Sequence, residues 1–194
     1  MKAELAERLN DLPQRLLSPD VKEGKGLGNE LGFFIFDFDP KSELEVRRHI
    51  PNVVSKLGVI EPGYSVASIN ILDQVYGVLS DQDLLERALE IEAESGIETA
   101  IEAIKQAASP EDVAERIVKL HPPETTHLYL LHGVGAAYPL IRSHSLLSNL
   151  HSRLRGRPLV LFFPGKFDGR RLVLLNRIQD DNYYRAFRLY ENPC

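Results

Sequence analysis

The stretch TTHLYLLHGVGAAYPLI, residues 125–141, gathers residue types that can cradle a phosphate. An apolar run from His127 to Leu131 meets His132-Gly133-Val134-Gly135, and Pro139 then opens a helical pattern. Many nucleotide sites begin as strand, Gly-x-Gly turn and helix, because backbone N–H groups and a helix N-terminus both favour an anion. The dinucleotide version needs a third small residue for close packing and an acid roughly 20 residues further on. Here Tyr138 fills the third position, and the next strand ends in Pro164-Gly165-Lys166. The triphosphate version needs G-x-x-x-x-G-K-[ST]. Gly24-Lys25 is followed by Gly26, and Gly165-Lys166 by Phe167, so neither pair supplies the hydroxyl that would hold magnesium. Counting back from Gly165 meets Val160 where the first glycine belongs. Phe33-Phe34-Ile35-Phe36-Asp37 has the form of an apolar strand ending in a magnesium-linked Asp, but no phosphate loop accompanies it.

Other reactive groupings are no closer to a site. His144 and His151 stand seven residues apart on one helix, a lone pair that reads as surface or packing histidine rather than zinc ligands. Asp37-Phe38-Asp39-Pro40-Lys41 has the residue types of a nuclease carboxylate cluster, but Pro40 makes it a turn. Ser143 and Ser145 beside His144 form no nucleophile motif. The expectation is a chain that is not an enzyme and carries no metal or cofactor.

Arg185 is more informative. Alternation along Tyr183–Leu189 puts Tyr183, Arg185, Phe187 and Leu189 on one face. An arginine among apolar neighbours needs an anionic partner, and Asp37 and Asp168 are the candidates. Two readings stay open. One is an internal Arg–Asp bridge that locks the C-terminal hairpin. The other is an arginine facing a pocket for an anion or a partner's carboxylate.

The elements that must position these residues follow from spacing. Leu5, Leu9, Leu12 and Leu16 predict a helix over 2–17. A glycine-rich loop, Lys22 to Gly32, leads to the apolar strand 33–36, which reads as buried on both faces of a parallel sheet. A helix over 42–57 follows, with Pro51 expected to kink or restart it. Strand 64–72 precedes three acidic helical segments, 81–94, 97–108 and 110–120; Ser109-Pro110-Glu111-Asp112 is a strong helix start. Strand 126–131, helix 139–154 and strand 159–163 come next, then a meander of 171–175 and 183–189. This order predicts an α/β three-layer sandwich: a mostly parallel, Rossmann-like or P-loop-NTPase-like sheet with a C-terminal antiparallel hairpin and no Walker motifs. Residues 1–194 read as one domain, with 80–120 as an acidic helical insert.

Composition agrees. Hydrophobic residues make up 43% and charged residues 26% of 194, which suits a folded soluble chain rather than a disordered one. No apolar run approaches the ~20 residues of a membrane helix, and the charged N-terminus MKAELAERLNDLPQRLL is unlike a signal peptide. The one cysteine, Cys194, fits a cytoplasmic protein. The net charge of −5 argues against a general DNA coat, but charge is uneven. Residues 151–190 hold nine basic side chains against three acids, and residues 81–116 hold eleven acids against three bases. These are either two solvated faces or, on the basic side, a docking surface for an acidic partner or nucleic acid.

Three blocks, LLSPDVKEGKGLGNELGFFIFDFDP (16–40), HGVGAAYPLIRSHSLLSNL (132–150) and PLVLFFPGKFDGRRLVLLNRIQDDNYYRAFRL (158–189), together resemble the BrxB family of bacteriophage exclusion (BREX) systems. The third block is the most specific, with its Phe-Pro-Gly and Asn-Tyr-Tyr-Arg-Ala-Phe. The resemblance implies a small accessory protein without catalysis that acts by binding other BREX subunits. The PglZ-like protein is foremost, with the methyltransferase and the ATPase as further partners. DNA would be met only weakly or indirectly, and no membrane is involved. The family-like residues are Gly26, Gly28, Asn29, Asp37, Pro139, Arg142, Pro164, Gly165, Tyr184 and Arg185. Candidate partner-binding or structural side chains are Asp37, Arg142, Lys166, Arg185 and Arg188. Gly26, Gly28, Gly133, Gly135, Pro139, Pro164 and Gly165 are expected to shape turns.

Overall fold

The computed structural model describes residues 2–23, 32–180 and 186–190. Gly26, Gly28, Asn29, Tyr184 and Arg185 lie outside them. The elements run α1 (Lys2–Leu16), α2 (Pro19–Lys22), β1 (Phe33–Phe38), a 3-10 turn (Pro40–Ser42), α3 (Glu43–Ile60), β2 (Val66–Asn70) and α4 (Ile71–Asp81). Then come α5 (Leu85–Ser95), α6 (Ile97–Ala107), α7 (Pro110–Leu120), β3 (Leu128–His132), α8 (Val134–Ala137), α9 (Ser143–Arg153), β4 (Leu159–Phe167), β5 (Leu172–Leu174), β6 (Ile178–Asp180) and β7 (Phe187–Arg188). Parallel strands lie in the order β2-β3-β4-β1-β7, and β5 and β6 extend the far end of β4 as an antiparallel meander.

Strand alternation builds the three layers. Phe33 and Ile35 of β1 join Tyr129, Leu131, Leu161 and Phe163 on the face covered by α4, α7, α8 and α9. Phe34, Phe36 and Phe38 join Leu130, Val160 and Phe162 on the face covered by α1, α2 and α3. β1 and β4 run side by side from Phe33↔Leu159 to Phe38↔Pro164, so the apolar run reads as a central strand because it is one. Each such buried Phe or Leu contributes about 1.5–3 kcal/mol relative to exposure. Leu5, Leu9, Leu12 and Leu16 all face this second core, as their spacing predicts.

Several expected boundaries move. α3 runs unbroken through Pro51, because Pro51 is exposed while Ile50, Val53 and Leu57 hold the buried side in place. β2 stops at Asn70 instead of Leu72: the Asn70 side chain accepts a hydrogen bond from Leu72 N–H at 3.1 Å and caps α4. Pro139 does not open a helix. Tyr138 before it is extended, as the residue preceding proline prefers, so α8 ends at Ala137 and α9 begins only at Ser143. The Tyr138–Pro139 peptide is cis.

β4 continues past Phe163 to Phe167 because Gly165 lets two backbones meet: a Cβ there would lie 2.1 Å from the carbonyl oxygen of Val173. The antiparallel hairpin joins 172–174 to 178–180, not 171–175 to 183–189, and Phe187–Arg188 instead adds a parallel edge to β1. The start of α7 is as expected: Ser109 and Asp112 cap each other's backbone N–H.

Candidate functional site

Parallel strands deliver their C-terminal ends to one side of the sheet, and the Gly-x-Gly turn lies there. Gly133 is left-handed (φ 78°), and a Cβ on it would fall 2.4 Å from Asn70 Oδ1. The turn therefore closes on the Asn70 cap rather than opening around a phosphate. Gly135 has no positive φ; it sits in α8, where a Cβ would meet Pro164 Cγ at 3.4 Å and Leu175 Cδ2 at 3.5 Å. It allows close packing rather than a sharp turn. His132, at the end of β3, has Nε2 3.3 Å from Ser68 Oγ and a buried Nδ1 without a hydrogen bond. Burial, reinforced by Arg47, pushes its pKa down to about 4, so the ring is neutral at pH 7.

Asp37, at the end of β1, is the most connected of the sequence-derived candidates. Its Oδ2 accepts from Phe167 N–H at 3.1 Å, and Oδ1 lies 3.7 Å from Arg8 Nη2, with both side chains 12% exposed. Arg8 also donates to the Asp37 carbonyl oxygen at 2.9 Å and stacks over Phe36, 4.4 Å from the ring centre. Burial lowers the Arg8 pKa and Asp37 opposes that shift, as expected of a partly buried ion pair. Arg188 donates to the Phe167 carbonyl oxygen, so Asp37 and Arg188 meet at the two sides of one residue. Asp168 is engaged elsewhere: it accepts from Arg170 and Arg171 N–H, each at 2.7 Å, which lowers its pKa. Arg185, and with it both of its readings, lies outside the described residues; Arg8, from α1, meets Asp37.

The same helix clasps the C-terminal segment. Arg15 Nε donates to the Leu189 carbonyl oxygen at 2.7 Å, and Leu189 N–H returns to Ile35 at 2.9 Å. Arg15 also grips Asp20 through two 2.8 Å hydrogen bonds and pulls its pKa down to about 2. Tyr190 Oη lies 2.9 Å from the Arg8 carbonyl oxygen and 3.1 Å from Asp11 Oδ2. Arg8 and Arg15 were not singled out by sequence, because the α1 pattern displays only its leucines.

Arg142 and Lys166 are exposed. Arg142 and Ser143 rim a cleft over Phe163, Leu172 and Leu174 with a volume of about 100 Å³, below the ~300 Å³ at which small-molecule sites begin. Lys166 faces outward from β4 opposite Val173. Pro164 is buried, and its carbonyl oxygen accepts from Leu175 N–H at 2.8 Å. His151 meets the edge of Phe33 at 5.7 Å, a packing role.

The basic segment is partly tied down within the fold, and the Arg153–Glu111 pair joins it to the acidic segment. Arg153 pairs with Glu111 at 2.9 Å, Arg155 pairs with Glu124, and Arg157 donates to the Pro123 carbonyl oxygen at 2.8 Å. Lys166, Arg170, Arg171 and Arg177 stay exposed around the β4–β6 meander. Among the described residues, no helix is long and apolar enough to cross a membrane.

Residues 67–189 match the family model described as BREX protein BrxB. A BREX protein BrxB from Bacillus cereus (strain H3081.97) is 36% identical over 190 residues, covering 95% of this chain and 97% of that protein. Another, from Escherichia coli O9:H4 (strain HS), is 32% identical over 185 residues, covering 95% of this chain and 91% of that protein. No solved structure matches. With the family model matching residues 67–189 and two relatives matching nearly end to end, the chain belongs to the BrxB family of BREX proteins.

Proposed function

We propose that this chain is a non-catalytic interaction or scaffold subunit of a BREX anti-phage defence complex in the cytoplasm. It would bind other subunits, a PglZ-like protein foremost, in support of host DNA methylation and phage exclusion. Kinship with BREX proteins supports the pathway. The observation that carries the non-catalytic part is the use made of the polar groups at the strand ends, where an α/β sheet usually builds its chemistry. Asp37 holds Phe167 N–H and Arg8, and Asn70 caps α4 against Gly133. These groups serve the fold, which leaves the outer surface for recognition. Purified chain mixed with each BREX subunit and run by size exclusion tests the reading. Co-elution with the PglZ-like protein is expected; separate elution from the PglZ-like protein, the methyltransferase and the ATPase alike would overturn it.

The exposed cations Lys166, Arg170, Arg171 and Arg177 favour a second reading, direct DNA contact from the β4–β6 meander. That reading expects duplex binding by the isolated chain that weakens steeply with salt. Arg153, Arg155 and Arg157 are already engaged within the protein, which leaves such contact weak.

A further inference from the structure

The α5–α6 hairpin is built unlike the rest of the molecule. α5 buries none of its side chains and α6 buries only Ala100. Each helix has 11 residues, short of the ~12–15 at which an isolated helix becomes even marginally stable. One side of α5, through Ala88 and Ile91 and with Leu84 just before the helix, turns towards Ala103, Ile104 and Ala107 of α6. The rest of the helix surface mixes glutamates with two exposed leucines. Leu85 is 37% exposed and Leu89 66% exposed, and at 3.6 residues per turn they form one line with Ala93.

Carboxylates border that line. By the same helical spacing Glu92 falls on one flank, with Glu86 and Glu90 on the other. Arg87 is occupied by Glu90 at 3.0 Å and Glu94 at 4.0 Å, and Lys105 by Glu102 at 2.7 Å. Glu86, Glu92 and Glu98 make no ion pair among the described residues. Residues 85–107 carry six glutamates against Arg87 and Lys105.

Charge complementarity selects the occupant. A surface of this sign repels nucleic acid and anionic lipid, and it attracts a rim of lysine and arginine. We propose that the α5–α6 hairpin is a docking prong whose outer stripe, Leu85 and Leu89 bordered by glutamates, seats in an apolar groove rimmed by lysine and arginine on a partner protein. Docking would supply the burial that the hairpin lacks in the free chain, with leucines as anchors and glutamates setting register and on-rate.

This inference rests on the reading that the chain works by binding other BREX subunits. The test titrates the full chain against the purified PglZ-like protein, methyltransferase and ATPase. Wild type is compared with Leu89→Arg, the double variant Glu86→Lys/Glu92→Lys and, as a control, Val59→Arg on α3, where Val59 is 78% exposed. All four should melt together. Leu89→Arg should weaken binding roughly 30-fold or more, as loss of an interface anchor does. The double glutamate variant should bind more weakly and with a flatter salt dependence, and Val59→Arg should bind as wild type. If wild type binds a subunit and both hairpin variants bind it equally well, the prong is refuted while the interaction reading stands. If wild type binds none of the subunits, the interaction reading falls and the prong with it. A homodimer of the chain alone, abolished by Leu89→Arg, would overturn the partner assignment in favour of a second copy.

Discussion

At the end of β1 the Asp37 carboxylate is 12% exposed and turns inward, to Phe167 N–H and Arg8; on α5, Glu86 and Glu92 face solvent beside Leu85 and Leu89. The two regions hold similar residue types and use them in opposite directions. Around Asp37, charge ties together parts of the chain far apart in sequence: α1, β1, the end of β4 and the C-terminal segment. On α5 and α6 the ion pairs are local, three or seven residues apart on one helix, and most of the side chains remain in water. Charge that joins distant elements stabilises the fold. Charge left beside exposed leucine, as on α5, has little effect on the fold.

Substitutions can break this contrast. Asp37→Ala leaves Arg8 without its carboxylate and Phe167 N–H without its acceptor. The pair is only partly buried, so the loss stays below the ~3–5 kcal/mol of a fully buried pair; urea unfolding should show about 2–3 kcal/mol, the cost of an unsatisfied donor and a weakened ion pair, and a change under about 0.5 kcal/mol would mean that Asp37 is free for other work. Gly133→Ala comes next. Its Cβ would press on Asn70 Oδ1 in a left-handed backbone, so about 2–3 kcal/mol should be lost. A stability equal to wild type would mean that the turn can open.

His132 sharpens the comparison through pH. Its folded-state pKa, about 4, lies below the ordinary 6.5, so the unfolded chain takes up the proton first. Stability is complete above about pH 6.5 and falls as pH drops towards 4, by about 2–3 kcal/mol. His121 shifts in the same direction through burial, and Asp20 adds a loss only between about 3.8 and 2. His132→Asn should therefore flatten the 6.5-to-4 part of the profile measured by denaturation at a series of pH values. A profile unchanged by the substitution would remove His132 from the account. The smallest stability effect belongs to the other region: Leu89→Arg should change stability by no more than about 0.5 kcal/mol.

The difference in legibility between the regions has a physical origin. Features made by neighbours in sequence could be read directly: the leucine stripe of α1, the apolar run of β1, and the Ser109–Asp112 cap. The start of α4 was hidden because Ile71 and Leu72 continue the alternation of β2, and only the Asn70 cap ends the strand. Pro139 looked like a helix opener, although the extended Tyr138 before it closes one. Pairings across long separations were the least visible. Arg8 reaches Asp37 across 29 positions and Arg15 reaches Leu189 across 174, and neither arginine stands out in a pattern dominated by leucine. Phe187–Arg188 likewise reads as a neighbour of 171–175, yet it joins β1, where Leu189 and Ala186 find burial. The family blocks were legible at both ends of the chain because turns and strand ends carry them. The exposed α5 stripe falls between those blocks, and by sequence it reads only as part of an acidic segment.

Hydrogen exchange on the chain alone and then with the BREX subunit that retains it tests the central claim most directly. β1, β3 and the Asp37–Phe167 contact should be protected in both states. Residues 85–107 should exchange quickly when free and slowly in the complex. Protection gained at the strand ends, with 85–107 unchanged on binding, would contradict it.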